Sequence, residues 1–249
     1  MENIIITGAG GFLGSYYTEE LSKFYNVIAL DYDKESLKKF HNKKNIITYN
    51  VDVRDEKQID SFRKKLKKKK LNIYGLINNA AIDSIPSSKK KNKYPNTKSW
   101  DRELDVGLKG AFFMIKFFGE DMLKKKRGKI INIGSDLSVI APNQKIYKKT
   151  YGEFIKPVTY SVIKHGLYGM TKYFASLFAD SNINVNMLSP GPIFNNQKES
   201  FVKELVNLIP MKRMGKKEDL ISSLKFLLNK KSSYISGQNI IVDGGRTII

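Results

Sequence analysis

The apolar residues of this chain fall into short unbroken runs, and between the runs they recur at helical spacing. Asn3 to Thr7, Val27 to Asp31, Ile46 to Val51, Ile73 to Ile77, Lys129 to Ile133, Asn184 to Leu188 and Asn239 to Val242 read as strands. Ser15 to Phe24, Lys34 to His41, Glu56 to Lys69, Ser99 to Leu123, Thr159 to Ala179 and Glu218 to Leu228 read as helices. A strand that is apolar on both faces must be covered on both faces, so the alternation predicts a parallel sheet between helical layers. Right-handed crossovers then make it an α/β doubly wound parallel sheet of about seven strands, with helices on both faces, in a single domain spanning 1–249. Two stretches lack a pattern, Asp83 to Lys98 and Asp136 to Pro157. Long ordered loops of this kind often form the lips of binding sites.

A chain of 249 residues buries a large core without covalent staples. It has no cysteine, which removes disulfides and thiolate metal sites, and two histidines, His41 and His165, are too few for a histidine-built metal site. The first residues enter a strand directly, without a basic segment or a long apolar run, and no window holds about 18 uninterrupted apolar residues. The expectation is a cytoplasmic protein with no membrane partner. Lys and Arg outnumber Asp and Glu by 44 to 24, a net charge of +20. Such a field suits nucleic acid, a membrane surface or an anionic substrate. The densest run, Arg63 to Lys70, lies in a predicted helix, where a solvated face explains it. No recognition module accompanies the charge, so no nucleic-acid partner is expected.

The first strand leads into Thr7-Gly8-Ala9-Gly10-Gly11-Phe12-Leu13-Gly14. Glycines permit a tight turn and close backbone approach to a pyrophosphate, and the helix that follows offers free N–H groups to that anion. A tight turn without a ligand is the plainer alternative. Asp31 ends the second strand, where a carboxylate can accept from both hydroxyls of an adenosine ribose and repel a 2′-phosphate. That favours NAD over NADP. A loop aspartate capping the next helix is the plainer reading, and Lys34 lies close enough in sequence to soften the preference. Tyr160 and Lys164 stand at i and i+4, on one helical face. A free tyrosine ionises near ~10. A neighbouring ammonium favours the phenolate. Such a pair can move a proton at a carbinol oxygen while hydride is transferred. An ordinary helix surface produces the same spacing.

Taken in order, the glycine turn, Asn78-Asn79-Ala80-Ala81, Ser135, Tyr160 with Lys164, Ser189-Pro190-Gly191 and the ending Gly237 to Gly245 resemble the short-chain dehydrogenase/reductases. The resemblance covers the whole chain and implies a Rossmann-type nicotinamide-binding fold. It implies that Ser135 hydrogen-bonds the substrate oxygen, that Tyr160 is the general acid/base, and that Lys164 tunes Tyr160 and binds the nicotinamide ribose. It further implies that Asp52 and Val53 contact the adenine, that Asn78, Asn79, Ala80 and Ala81 line the cofactor cleft, and that Pro190, Gly191 and Ile193 border the nicotinamide. A homodimer or homotetramer built on the long helices around Phe112 and Tyr168 is implied as well. Two positions depart from the pattern. The spacing Gly8, Gly11, Gly14 resembles the extended branch of the family, with Phe12 where the short branch has glycine. Gly107 stands where the family has an asparagine that kinks its helix and holds a water. Glycine also permits a kink, so an interrupted helix is expected there.

Tyr160 lies 25 positions after Ser135, a long interval for the family. The insert carries Asn143, Gln144, Lys145, Tyr147, Lys148, Lys149, Tyr151 and Lys156, and Asn195, Asn196 and Gln197 follow Pro190-Gly191. So many donors suit a hydroxylated, anionic small molecule, and an exposed loop explains them equally. The strings from Ser135 to Pro142 and from Lys156 to Gly166 resemble a bacterial subgroup associated with flagellin modification and nonulosonic-acid sugars, which implies a sugar phosphate or nucleotide-linked sugar as substrate. Two other readings stay open. One is a 3-oxoacyl-carrier-protein reductase, which would need an apolar slot, for which Ile140, Ile146 and Phe194 are the candidates. The other is a sensor or scaffold that binds NAD(H) without turnover.

Overall fold

The computed structural model describes residues 1–83, 86 and 94–249. Seven strands form one sheet: β1 (Asn3–Thr7), β2 (Asn26–Asp31), β3 (Ile46–Asn50), β4 (Ile73–Asn78), β5 (Gly128–Ile133), β6 (Ile183–Pro190) and β7 (Asn239–Val242). They lie in the order 3-2-1-4-5-6-7, and every neighbouring pair is parallel. The order reverses between β1 and β4, which opens a crevice at the carboxyl ends of these strands. Alternation along β1 shows how the sequence fills both faces. Ile4 and Ile6 pack with α1 (Phe12–Leu21) and α8 (Glu218–Leu228) through Tyr17, Leu21, Leu220 and Leu224. Ile5 points the other way, to Phe62 of α2 (Glu56–Lys68), Phe118 of α4 (Gly110–Lys125) and Phe174 of α6 (Val158–Leu177). The basic run on α2 is a solvated face: Ile59, Phe62 and Leu66 are buried while Lys65 and Lys68 are exposed. No helix among the described residues is long and apolar enough to cross a membrane.

Four elements differ from the sequence expectation. The segment 34–41 forms only a 3₁₀ turn at Lys38–Phe40. Asp33 accepts from the Glu35 N–H and its carbonyl accepts from the Ser36 hydroxyl, local bonds that compete with a helix. The long helix expected from Ser99 is three pieces: α3 (Thr97–Leu104), a π turn at Asp105–Lys109, and α4. Two short helices have no counterpart in the hydrophobic pattern, α5 (Gln144–Tyr151) and α7 (Glu199–Val206). Each turns few apolar residues inward, and those residues find each other: Ile146 and Tyr151 pack with Phe201 and Leu205. The irregular stretch expected at Asp83 to Lys98 lies largely outside the described residues, and its last two residues already belong to α3.

Candidate active site

The crevice holds a cavity of about 660 Å³, lined from the glycine turn at one end to α7 at the other. At the first end Gly8 adopts φ +63°, and a Cβ there would sit 2.8 Å from the Ala80 Cα. A Cβ on Gly14 would meet the Gly8 carbonyl at 2.0 Å, so α1 can leave the turn this tightly only without side chains. Asn79 donates to the carbonyls of Thr7 and Gly8 at 3.0 and 3.1 Å, and the Thr7 hydroxyl accepts from the Asn79 and Ala80 N–H groups. These bonds fasten the turn to the end of β4. No side chain caps the first turn of α1, and Gly11, Phe12 and Leu13 at that end line the cavity. A backbone cradle of that kind fits a pyrophosphate.

Asp31 is buried beside this turn. One oxygen accepts from the Gly10 N–H at 2.8 Å and the other from the Asp33 N–H at 3.0 Å. It caps no helix, since 34–41 forms only the 3₁₀ turn; it braces its own loop and presents a carboxylate to the cavity. Lys34 lies outside the lining. Asp52 and Val53 follow β3 into the cavity, and the Arg54 guanidinium holds the Asp52 carboxyl below the usual carboxylate range. Ala81, Pro190, Gly191 and Ile193 line the same cavity. Asn78 does not reach it. Its side chain turns into the sheet and donates to Asn132 at 2.8 Å, which corrects its expected place in the cofactor cleft.

At the middle stand Ser135, Tyr160 and Lys164, each buried or partly buried and each on the cavity wall. Lys164 lies one turn beyond Tyr160 on α6, with its ammonium 5.6 Å from the ring centre and donating to the Ile133 carbonyl at 2.9 Å. Burial pushes the Lys164 ammonium down to about 8. Burial also pushes the Tyr160 phenol up, with the Asp83 carboxylate adding to the rise. The Ser135 hydroxyl acts the other way, but desolvation of the buried phenolate outweighs it, so the net lowering expected from the lysine pairing does not appear. The helix is interrupted at Gly107, as its sequence suggests: the π turn lets the Gly110 N–H reach the Asp105 carbonyl. A Cβ on Gly107 would come 2.7 Å from Ile163 Cγ2, so α6 occupies the space where a side chain would start.

The far end of the cavity is where sequence reasoning was weakest. Ser135 donates to Asp136 Oδ1 at 2.8 Å and accepts from the Leu137 N–H at 3.2 Å. Asp136 is buried and paired with Arg246, itself 8% exposed, from the segment after β7. Lys156, also 8% exposed, pairs with Asp83 and stands 3.9 Å from the centre of the Tyr160 ring. Of the polar residues singled out in the insert, Tyr147 and Lys156 line the cavity, and beyond Pro190 so do Asn195 and Gln197. Lys145 and Lys148 lie outside the lining, and Lys149 pairs with Glu204 on α7. The candidate apolar residues Ile140, Ile146 and Phe194 lie outside it as well, while Phe201, Leu205 and Met214 supply an apolar wall. Asp83 and Arg246 lie in no motif, and Asp136 only in the string that follows Ser135. Only their adjacency to Ala81, Ser135 and Gly245 hinted at the site.

Comparison with known proteins agrees with this geometry. The family model described as Enoyl-(Acyl carrier protein) reductase matches residues 23–247. A 3-oxoacyl-acyl-carrier-protein reductase of Buchnera aphidicola is 33% identical, over 97% of this chain and 95% of its own length. An NAD-dependent glycerol dehydrogenase of Listeria innocua is 31% identical, over 98% and 93%. The crystal structure of a short-chain dehydrogenase from Leptospira borgpetersenii with bound NAD+ superposes with a TM-score of 0.87 at 29% identity, covering 99% of this chain and 92% of that one.

Proposed function

We propose, from the premise that this chain belongs to the short-chain dehydrogenase/reductase family and is an NAD- or NADP-dependent oxidoreductase, that it acts on a small hydroxylated, anionic substrate and prefers NAD. The cofactor, when bound, supplies or accepts the hydride. The glycine turn and the first turn of α1 would hold its pyrophosphate, Asp31 its adenosine ribose, Asp52 and Val53 its adenine, and Pro190, Gly191 and Ile193 its nicotinamide end. Tyr160 Oη takes the carbinol proton during oxidation and returns it during reduction. Ser135 Oγ orients the reacting oxygen, and the Lys164 ammonium favours the phenolate and binds the nicotinamide ribose.

The observation that carries the substrate reading is the wall opposite these residues. Two cation–carboxylate pairs, Lys156 with Asp83 and Arg246 with Asp136, face the cavity beside the tyrosine and the serine. A ligand of hydroxyls and a carboxylate or phosphate has partners there, supplemented by Asn195 and Gln197. The sugar-phosphate or nucleotide-sugar version of this reading rests on that wall and on the subgroup-like strings around Ser135 and Tyr160. A second reading has its own observation: Phe201, Leu205 and Met214 offer an acyl chain an apolar surface, in keeping with the reductase relatives. The deciding experiment is a turnover screen with NAD and NADP against polyols, sugar acids, sugar phosphates, nucleotide sugars and acyl thioesters. The proposal expects the highest catalytic efficiency with NAD and an anionic hydroxylated compound. Acyl thioesters ahead of every such compound would replace it with the carrier-protein reductase. Binding of NAD without turnover of anything would favour a sensor. We further propose a homodimer or homotetramer built on α4 and α6 around Phe112 and Tyr168, where Tyr168 is half-buried and Phe112, Tyr173 and Leu177 are exposed, to be read from light scattering.

A further inference from the structure

Lys156 is placed with more care than a surface lysine receives. It lies just before α6, and its backbone is held on both sides by one amide of α5. The Lys156 N–H donates to Gln144 Oε1 at 2.9 Å, and its carbonyl accepts from Gln144 Nε2 at 3.1 Å. So fixed, the side chain runs inward and is almost fully buried. Its ammonium ends 3.9 Å from the centre of the Tyr160 ring, nearer than the 5.6 Å of Lys164. A cation over an aromatic face is attracted to it, and more strongly once the ring carries a delocalised negative charge.

We propose that Lys156 is a positioning residue for the reaction, a second ammonium that acts through the Tyr160 ring to stabilise its phenolate, and that α5 exists in part to hold it there. The proposal rests on the reading of Tyr160 as the acid/base. Other charged or titratable groups also face Tyr160. Lys164 comes from α6 itself, Asp83 from the segment after β4, Asp136 with its partner Arg246 from beyond β5 and β7, and Tyr147 from α5. Asp83 and Asp136 oppose the phenolate, so two ammonium groups meet two carboxylates around one buried ring. Removing Lys156 tips that balance toward the neutral phenol. Removing the charge of Asp83 tips it the other way.

The test is a pH titration of the full chain labelled with ¹³Cζ-tyrosine and saturated with NAD+. Loss of one resonance in Tyr160→Phe identifies the signal among the 13 tyrosines. Lys156→Met is expected to raise the Tyr160 midpoint by about one pH unit or more. Lys156→Arg keeps the charge and should restore the native midpoint, and Asp83→Asn should lower it. Equal midpoints in the native protein and Lys156→Met overturn the proposal. Retained turnover in Tyr160→Phe would instead remove the reading beneath it, so the two failures are distinct.

Discussion

The two ends of the cavity are built on different principles. At the cofactor end the backbone does the work. The turn at Gly8 and Gly14 is tight because atoms are missing, and Asn79 and Thr7 tie it to β4 with hydrogen bonds of ordinary length. At the substrate end charged side chains do the work, brought together from segments far apart in sequence. Arg246 reaches Asp136 across 110 positions, and Lys156 reaches Asp83 across 73. A backbone cradle recognises what every nicotinamide cofactor shares. A wall of paired charges, on the function proposed above, would select one substrate class by the arrangement of its side chains.

Tyr160 stands where the two ends meet, and removing its hydroxyl has the largest expected effect. In Tyr160→Phe the ring still fills its place but cannot exchange a proton. General acid–base groups contribute typically ~10²–10⁴-fold, so turnover should fall by at least about a hundredfold. NAD affinity, measured by titration, should stay near native because the cradle is untouched. Near-native turnover would mean that the chemistry lies elsewhere in the cavity.

This division also explains what could be read from the sequence. Gly8, Gly11 and Gly14 in one turn, Asp31 at a strand end, and Tyr160 with Lys164 on one helical face follow from local pattern, Ser135 only from the family resemblance, and all of them line the crevice. Asn78 was misjudged by one residue of strand alternation: at the end of β4 it faces Asn132 in the sheet, while Asn79 turns to the glycine loop. The substrate end was illegible for a physical reason. Whether a lysine of the insert faces the cavity or solvent depends on how α5 lies against α7, which follows from the pairing of Ile146 and Tyr151 with Phe201 and Leu205. That contact decides that Lys156 turns inward and Lys148 does not, and no period in the sequence encodes it.

The substrate end should fail by loss of charge balance. Arg246 and Asp136 are both buried, so Arg246→Leu leaves an uncompensated carboxylate next to Ser135. Breaking a buried pair from one side costs about 3–5 kcal/mol. In a chain of this size each kcal/mol corresponds to about 2–4 °C, so the melting temperature should drop by several degrees. The double variant Arg246→Leu with Asp136→Leu should recover part of that loss while turnover stays low, since Ser135 has lost its partner. A single variant as stable as the native protein would show that the pair does not hold the wall.

The pH dependence of stability sharpens the comparison from the centre of the cavity. Lys164 is held at about 8 by burial against an ordinary value of 10.5. Between those values the unfolded chain binds the proton and the folded chain does not, so stability rises as pH climbs from about 8 toward 10.5. Tyr160, raised by burial, acts in the opposite direction above about pH 10, where unfolded tyrosine loses its proton first. The clean window is therefore about pH 8 to 10. Across it Lys164 adds up to about 3 kcal/mol at ~1.4 kcal/mol per unit. Urea unfolding of the native chain and Lys164→Met at each end of the window checks this: the difference in their slopes is the lysine. Parallel slopes would mean that Lys164 titrates as it does in water.

Asp31 offers the smallest effect and the most direct test of the cofactor end. Its two oxygens brace the Gly10 and Asp33 N–H groups, so replacing it with alanine would confuse a loop defect with a lost charge. Asp31→Asn is the better probe. The amide oxygen still accepts from one of those N–H groups, and the negative charge is gone. If the carboxylate excludes a 2′-phosphate by repulsion, NADP should bind the variant more tightly while NAD binds somewhat less tightly, having lost one acceptor for its ribose. A shift of about tenfold in the ratio of the two dissociation constants, about 1.4 kcal/mol, is the expected size for a single partly solvated charge. Titration of both cofactors against both proteins measures that ratio directly. Loop damage alone would weaken the two cofactors equally and leave the ratio fixed, and in that case Asp31 serves the turn and not the choice of cofactor.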